Sequence, residues 1–124
     1  MANALPKRVL RATTGGAELG EGETAVGAPL REGLEVAARI GQILGKVRRI
    51  TPWMYEAHRS AGLSGTAIIT MKLNKRGYIE RLFFHTKTGT RELDVTAQAI
   101  IHMGEPYPYV PQELAIEIKF SPEL

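Results

Sequence analysis

The serine in "GLSGT", residues 62–66, sits in the setting closest to that of a nucleophile. A nucleophile elbow places Gly-x-Ser-x-Gly at a strand-to-helix turn, so that the hydroxyl stands exposed beside histidine and acid partners supplied by the fold. Here Gly65 comes one residue early and a β-prone run, "TAIITMKL", follows, so Ser64 reads as a turn residue. The candidate bases and metal ligands, His58, His85 and His102, stand on three different segments with no H-x-x-x-H or H-E-x-x-H spacing. Glu92 and Asp94 lie at the start of an expected helix, where carboxylates favour the dipole without any acid–base role. Gly15, Gly16, Gly20 and Gly22 suggest a phosphate loop, but no Lys-Ser/Thr follows and no strand is expected before them. With no cysteine, thiolate metal sites and cysteine nucleophiles are excluded. The expectation is a non-enzyme with no catalytic residue, no metal and no cofactor.

The charged residues define a second possibility. Sixteen Lys and Arg against thirteen Asp and Glu give a formal net charge of +3. Lys46, Arg48, Arg49, Lys72, Lys75, Arg76 and Arg81 would serve a small basic nucleic-acid-binding αβ domain, whose binding would fall steeply with salt. A dedicated nucleic-acid protein carries a denser basic patch, so nucleic acid is not the expected partner. No run approaches the roughly 20 apolar residues of a membrane span, and residues 1–20 lack the apolar core of a signal peptide.

The elements that must position these residues follow from periodicity. The glycine-rich residues 1–33 read as a flexible linker or disordered arm. In residues 34–50, Leu34, Ala37, Ala38, Ile40, Ile43, Leu44 and Val47 recur at three- and four-residue spacing, an amphipathic helix expected to end at Thr51 and Pro52. Residues 53–61, "WMYEAHRSA", make about two further helical turns before Gly62. Residues 66–73 and 78–86 form a hairpin around "NKRG", with Ala67, Ile69, Met71 and Leu73 on one face. Ile79, Leu82 and Phe84 cannot share a face by strict alternation, which points to a bulge or two-sided burial. Residues 91–103 carry a helical stripe, with Thr90 as N-cap and Gly104 as terminator. "EPYPYVP" must run extended. Leu114, Ile116, Ile118 and Phe120 then alternate with Ala115, Glu117 and Lys119 in a half-buried last strand.

Taken in order, Pro52, "AGLSGTAIITMKL", "NKRG", "YIERLFFH", "TKTG", "LDVTAQAI", "EPYPYVP" and "ELAIEIKF" resemble the TonB C-terminal domain family over residues 51–124. The specificity lies in the order and spacing of these weak features. The family's Tyr-Pro is Thr51-Pro52 here, and its long C-terminal strand extension is absent. Full transducers also carry a membrane anchor and a Pro-rich spacer, so a fragment or a stand-alone homologue is implied.

The resemblance implies an α+β fold, a three-stranded antiparallel sheet with two helices on one face, to which the extra N-terminal amphipathic helix is added. It implies a periplasmic module of an inner-membrane-anchored energy transducer. Its partner would be an outer-membrane TonB-dependent transporter, whose TonB box adds as a strand to the exposed edge of the last strand, with an ExbB/ExbD-type motor engaged through N-terminal regions. The docking residues so implied are Leu114, Ala115, Ile116, Glu117, Ile118, Lys119 and Phe120, with Pro52, Trp53 and Tyr55 beside them. Strand addition draws affinity from unpaired edge amides and carbonyls, and selectivity from alternate side chains. The same strand can instead complete the sheet or pair with a second copy in a homodimer, and the related architecture of the TolA C-terminal domain serves envelope integrity through other partners. Residues 34–50 can cap the sheet, mediate dimerisation or end a spacer.

Overall fold

The computed structural model describes residues 10–13 and 30–123. In chain order the elements are β1 (Leu10–Thr13), α1 (Leu30–Arg59), β2 (Gly65–Leu73), β3 (Ile79–Thr86), α2 (Arg91–Met103) and β4 (Leu114–Phe120). The sheet order is β1-β4-β2-β3, with β4, β2 and β3 antiparallel and β1 added parallel to β4. The expected α+β fold, an antiparallel three-stranded sheet with helices packed on one face, is therefore present, and its sheet is extended by one short strand. The linker expected over 1–33 falls mostly outside the described residues; within it, Leu10–Thr13 pair as β1.

The helix expected to end at Thr51 and Pro52 does not end there. α1 runs on through Pro52 and absorbs the two turns expected as a separate helix. Proline inside a helix removes an amide donor and costs about 3 kcal/mol relative to alanine. Burial on both sides of the proline offsets that cost. Ile40, Ile43, Leu44 and Val47 before it and Tyr55 after it are buried, with Ile50 and Met54 packed against the same cluster. Pro52 itself faces solvent, and the Thr51 hydroxyl donates to the Val47 carbonyl at 2.7 Å. Leu34, expected on the buried stripe, is exposed.

Gly62 stops α1 as its position suggests. With φ at +75° it lets the Gly62 N–H reach the Arg59 carbonyl (2.9 Å) and the Leu63 N–H reach the His58 carbonyl (3.1 Å), the paired bonds of a Schellman cap. Tyr55 then donates its hydroxyl to the Leu63 carbonyl, tying the helix end to the start of β2.

The bulge expected in the hairpin is present, and there are two. Leu73 faces Ile79, Met71 faces Leu82 and Ile69 faces Phe84, with register shifts at Lys72/Leu73 and at Ile68/Ile69. One extra residue at the Lys72/Leu73 shift, where Glu80 is skipped, brings Ile79 onto the face that Leu82 and Phe84 share with Ile69, Met71 and Leu73, and all three pack against the core; the other shift, where His85 is skipped, lies beyond Phe84.

α2 buries Leu93, Thr96, Ala97, Ile100 and Ile101. Its N-cap is Thr90, as expected, but the Thr90 side chain makes no capping bond. Asp94 instead fastens the loop that leads into the helix: its Oδ1 accepts from the Thr88 N–H and lies within hydrogen-bond distance of the Thr88 hydroxyl, each at 2.8 Å, while the Thr90 N–H donates to that hydroxyl at 3.0 Å.

Residues 105–111 close the core between α2 and β4. The Tyr107 N–H donates to the Gly77 carbonyl at 2.8 Å and its hydroxyl to the Ile101 carbonyl at 2.6 Å. Lys46 of α1 donates to the carbonyls of Gly104 (3.0 Å) and Pro106 (2.7 Å). Glu105 accepts from the Ile79 N–H at 2.6 Å.

Candidate partner-docking edge

β4 is held in place by its inward side chains. Leu114, Ile116, Ile118 and Phe120 are all buried, and Phe120 lies against Tyr55 with ring centroids 5.3 Å apart. On the outward face Glu117 is half-buried and Lys119 exposed. Ala115 shares that face yet is fully buried, as is Thr70 directly opposite it on β2. Short side chains at the centre of a sheet face are shielded by longer neighbours, so the outward face is closed at its middle.

One side of β4 is committed to β2 along its whole length, from Gly65↔Phe120 to Met71↔Leu114. The other side was expected to be an open edge, and here the expectation is corrected. β1 occupies it in parallel register, Leu10↔Leu114, Arg11↔Ala115, Ala12↔Ile116 and Thr13↔Glu117. Among the described residues, β4 beyond Glu117 has no strand on that side, and β3 has none on its outer side. Sequence patterning did not show the segment that fills the edge. Four residues in a glycine-rich arm carry no period, and their strand conformation exists only because β4 offers backbone to pair with.

The three flanking residues separate. Tyr55 belongs to the core, with its ring on Phe120 and its hydroxyl on Leu63. Pro52 and Trp53 stand in solvent on α1, and Trp53, at 69 %, is the most exposed large hydrophobic among the described residues. They are not in a turn preceding a short helix, because α1 is continuous there.

The residues that suggested chemistry are dispersed. Ser64 is exposed in the turn after α1. His58 is 2.8 Å from the buried Thr96 hydroxyl, His85 is 3.1 Å from the Thr86 hydroxyl and His102 is 3.3 Å from Glu105. Each is tied to a different neighbour. No group of three or more potential metal ligands is gathered among the described residues, and no described helix is long and apolar enough to cross a membrane. Of the basic set, Lys46 donates to the carbonyls of residues 104 and 106, Lys72 reaches the Pro111 carbonyl at 3.4 Å, and Arg81 pairs with Glu113 at 3.2 Å.

Comparison with known protein families, with curated proteins and with solved structures finds no match.

Proposed function

We propose that this chain is a non-enzymatic interaction module of the TonB type, which receives an extended peptide by strand addition along β4. The partner in this reading is the TonB box of an outer-membrane transporter, met in the periplasm, so that energy from the inner membrane drives import. The observation that carries the reading is that β4 already holds a short strand from about a hundred residues away, paired in parallel register over Leu114–Glu117. An edge that accepts one extended segment offers the same amides and carbonyls to another. The inward side chains that fix β4 are unavailable to a partner, so selectivity would fall to Glu117 and Lys119 on the outward face.

Docking in this reading replaces β1 or continues past it along Ile118–Phe120. The test is an amide NMR titration of the isotope-labelled full chain with a TonB-box peptide at moderate salt. Shifts concentrated in Leu114–Phe120, with loss of the β1 contacts, are the expected result. No shifts at about millimolar peptide, an affinity near 4 kcal/mol, would remove the transporter reading. TolA-type envelope partners or self-association would then be the readings to test.

A further inference from the structure

Away from the β4 edge, α1, the β2–β3 turn and the 106–108 segment enclose an open cleft of about 690 Å³. That size falls within the range of small-ligand sites. Its helical wall is built on Gly41 and Gly45. A Cβ at Gly41 would meet nothing within 4 Å, and one at Gly45 would touch the Arg49 guanidinium at 3.4 Å, an ordinary contact distance, so the guanidinium lies back over the Gly45 position. Three cations line the cleft, Lys46, Arg49 and Arg76, and no carboxylate of the described residues does. Glu105, next to the cleft's Pro106, is turned away to the Ile79 N–H and to His102.

Two of the three cations are set by rigid backbone. Lys46 is pinned by the carbonyls of Gly104 and Pro106, with its ammonium 5.6 Å from the Tyr107 ring centroid, and an ammonium has a third N–H to give. Arg76 sits in a turn fixed twice. Asn74 Oδ1 accepts from the N–H groups of Arg76 (2.9 Å) and Tyr78 (3.0 Å), and the neighbouring Gly77 carbonyl accepts from Tyr107. Neither the Arg49 nor the Arg76 guanidinium has a hydrogen bond or ion pair among the described residues. Like charges gathered round a concave surface without counter-charge raise the energy of the folded chain, and an anion relieves it.

We infer that this cleft binds a phosphate-bearing ligand, with the Arg49 and Arg76 guanidiniums as forks on its oxygens and Lys46 as a fixed point charge. The phosphate belongs either to a free small molecule or to a lipid headgroup. The site is independent of strand docking at β4.

Calorimetric titration of the full chain with sodium pyrophosphate at low ionic strength tests the site. Saturable binding is expected, weakened about tenfold by Arg49→Gln and again by Arg76→Gln, the loss expected of one charged hydrogen-bonding group each. Both side chains are exposed and have no partner among the described residues, so circular dichroism should be unchanged, as should any peptide response at Leu114–Phe120. Co-sedimentation with phosphatidylcholine vesicles, with and without phosphatidylglycerol, separates the sources. Arginine-dependent binding only to the anionic vesicles assigns the headgroup, and arginine-dependent pyrophosphate binding alone assigns a free phosphate. The inference is overturned if neither probe binds, if binding ignores both substitutions, or if a duplex oligonucleotide displaces pyrophosphate through the same arginines.

Discussion

At the scale of single residues, Tyr107 and the glycines around it decide how the proline-rich segment closes the core. Gly77 has φ at +90°, and a Cβ there would stand 2.0 Å from the Tyr107 carbonyl oxygen. Gly104 has an ordinary helical conformation but would drive a Cβ into the Tyr107 ring at 2.2–2.6 Å. So Gly104 ends α2 for reasons of space and not of backbone freedom. Gly77→Ala is expected to destabilise the chain by about 3 kcal/mol or more, from positive-φ strain together with a backbone clash, read as a lowered urea midpoint. Tyr107 also makes a pH prediction. Burial, and secondarily the Glu105 carboxylate, pushes its pKa above the ordinary tyrosine value. The unfolded chain then loses this proton near pH ~10 while the folded chain keeps it, so stability is intact below that pH and falls as pH rises through it. Tyr107→Phe should flatten that alkaline decline and cost about 1 kcal/mol at neutral pH through loss of the hydroxyl's bond to the Ile101 carbonyl, which keeps the Gly104 N–H as its other donor. Urea midpoints across the alkaline range for both proteins would show it; equal slopes would refute it.

At the scale of elements, sequence periodicity located each helix and strand of residues 34–120 but misplaced both ends of the first helix, which begins at Leu30 inside the expected linker and runs through Pro52 to Arg59. Thr51-Pro52 reads as a helix stop because local rules disfavour proline in a helix interior. α1 continues because Ile50, Met54 and Tyr55 repeat the apolar stripe across it, and packing outweighs local propensity. Pro52→Ala, at an exposed position, should stabilise the chain by about 1–3 kcal/mol, seen as a raised thermal midpoint. An unchanged midpoint would mean that α1 is bent at Pro52 in a way the core requires. The irregularity at Lys72/Leu73 was foreshadowed by spacing, since Ile79 can join Leu82 and Phe84 on the core face only if an extra residue intervenes; the second shift, at Ile68/Ile69, left no such trace. The α2 cap was half legible. Thr90 stands at the N-cap, but the bonds come from Asp94 to Thr88, so Asp94→Ala should cost about 1–2 kcal/mol of stability on denaturation.

At the scale of the whole molecule, the question is who occupies β4. With β1 in place a docking peptide competes against a tethered strand of four residues. If strand addition is the function, replacing both Arg11 and Ala12 by proline removes two adjacent β1 amides, one of which faces β4, and should raise the apparent affinity of a β4-binding peptide several-fold, in proportion to the fraction of edge released. Hydrogen exchange gives the companion readout, since amides of Leu114–Glu117 that point towards β1 should exchange faster in that variant while those paired with β2 do not. Unchanged affinity and exchange would show that β1 contributes nothing to the state of the edge.

The sequence by itself determined what depends on local pattern. The α+β order, the hairpin and its bulge, the inward faces of β2 and β4, and the stop at Gly62 all follow from residue spacing and from the conformations glycine and proline allow. Only the tertiary structure decided what depends on residues distant in the chain. The pairing of Leu10–Thr13 with β4 is made by backbone groups identical in every residue, so no side-chain pattern announces it. The convergence of Lys46, Arg49 and Arg76 on one cleft requires α1 to lie beside a turn some thirty residues away, held there by Tyr107 packing on glycines whose role is invisible until the ring is in place.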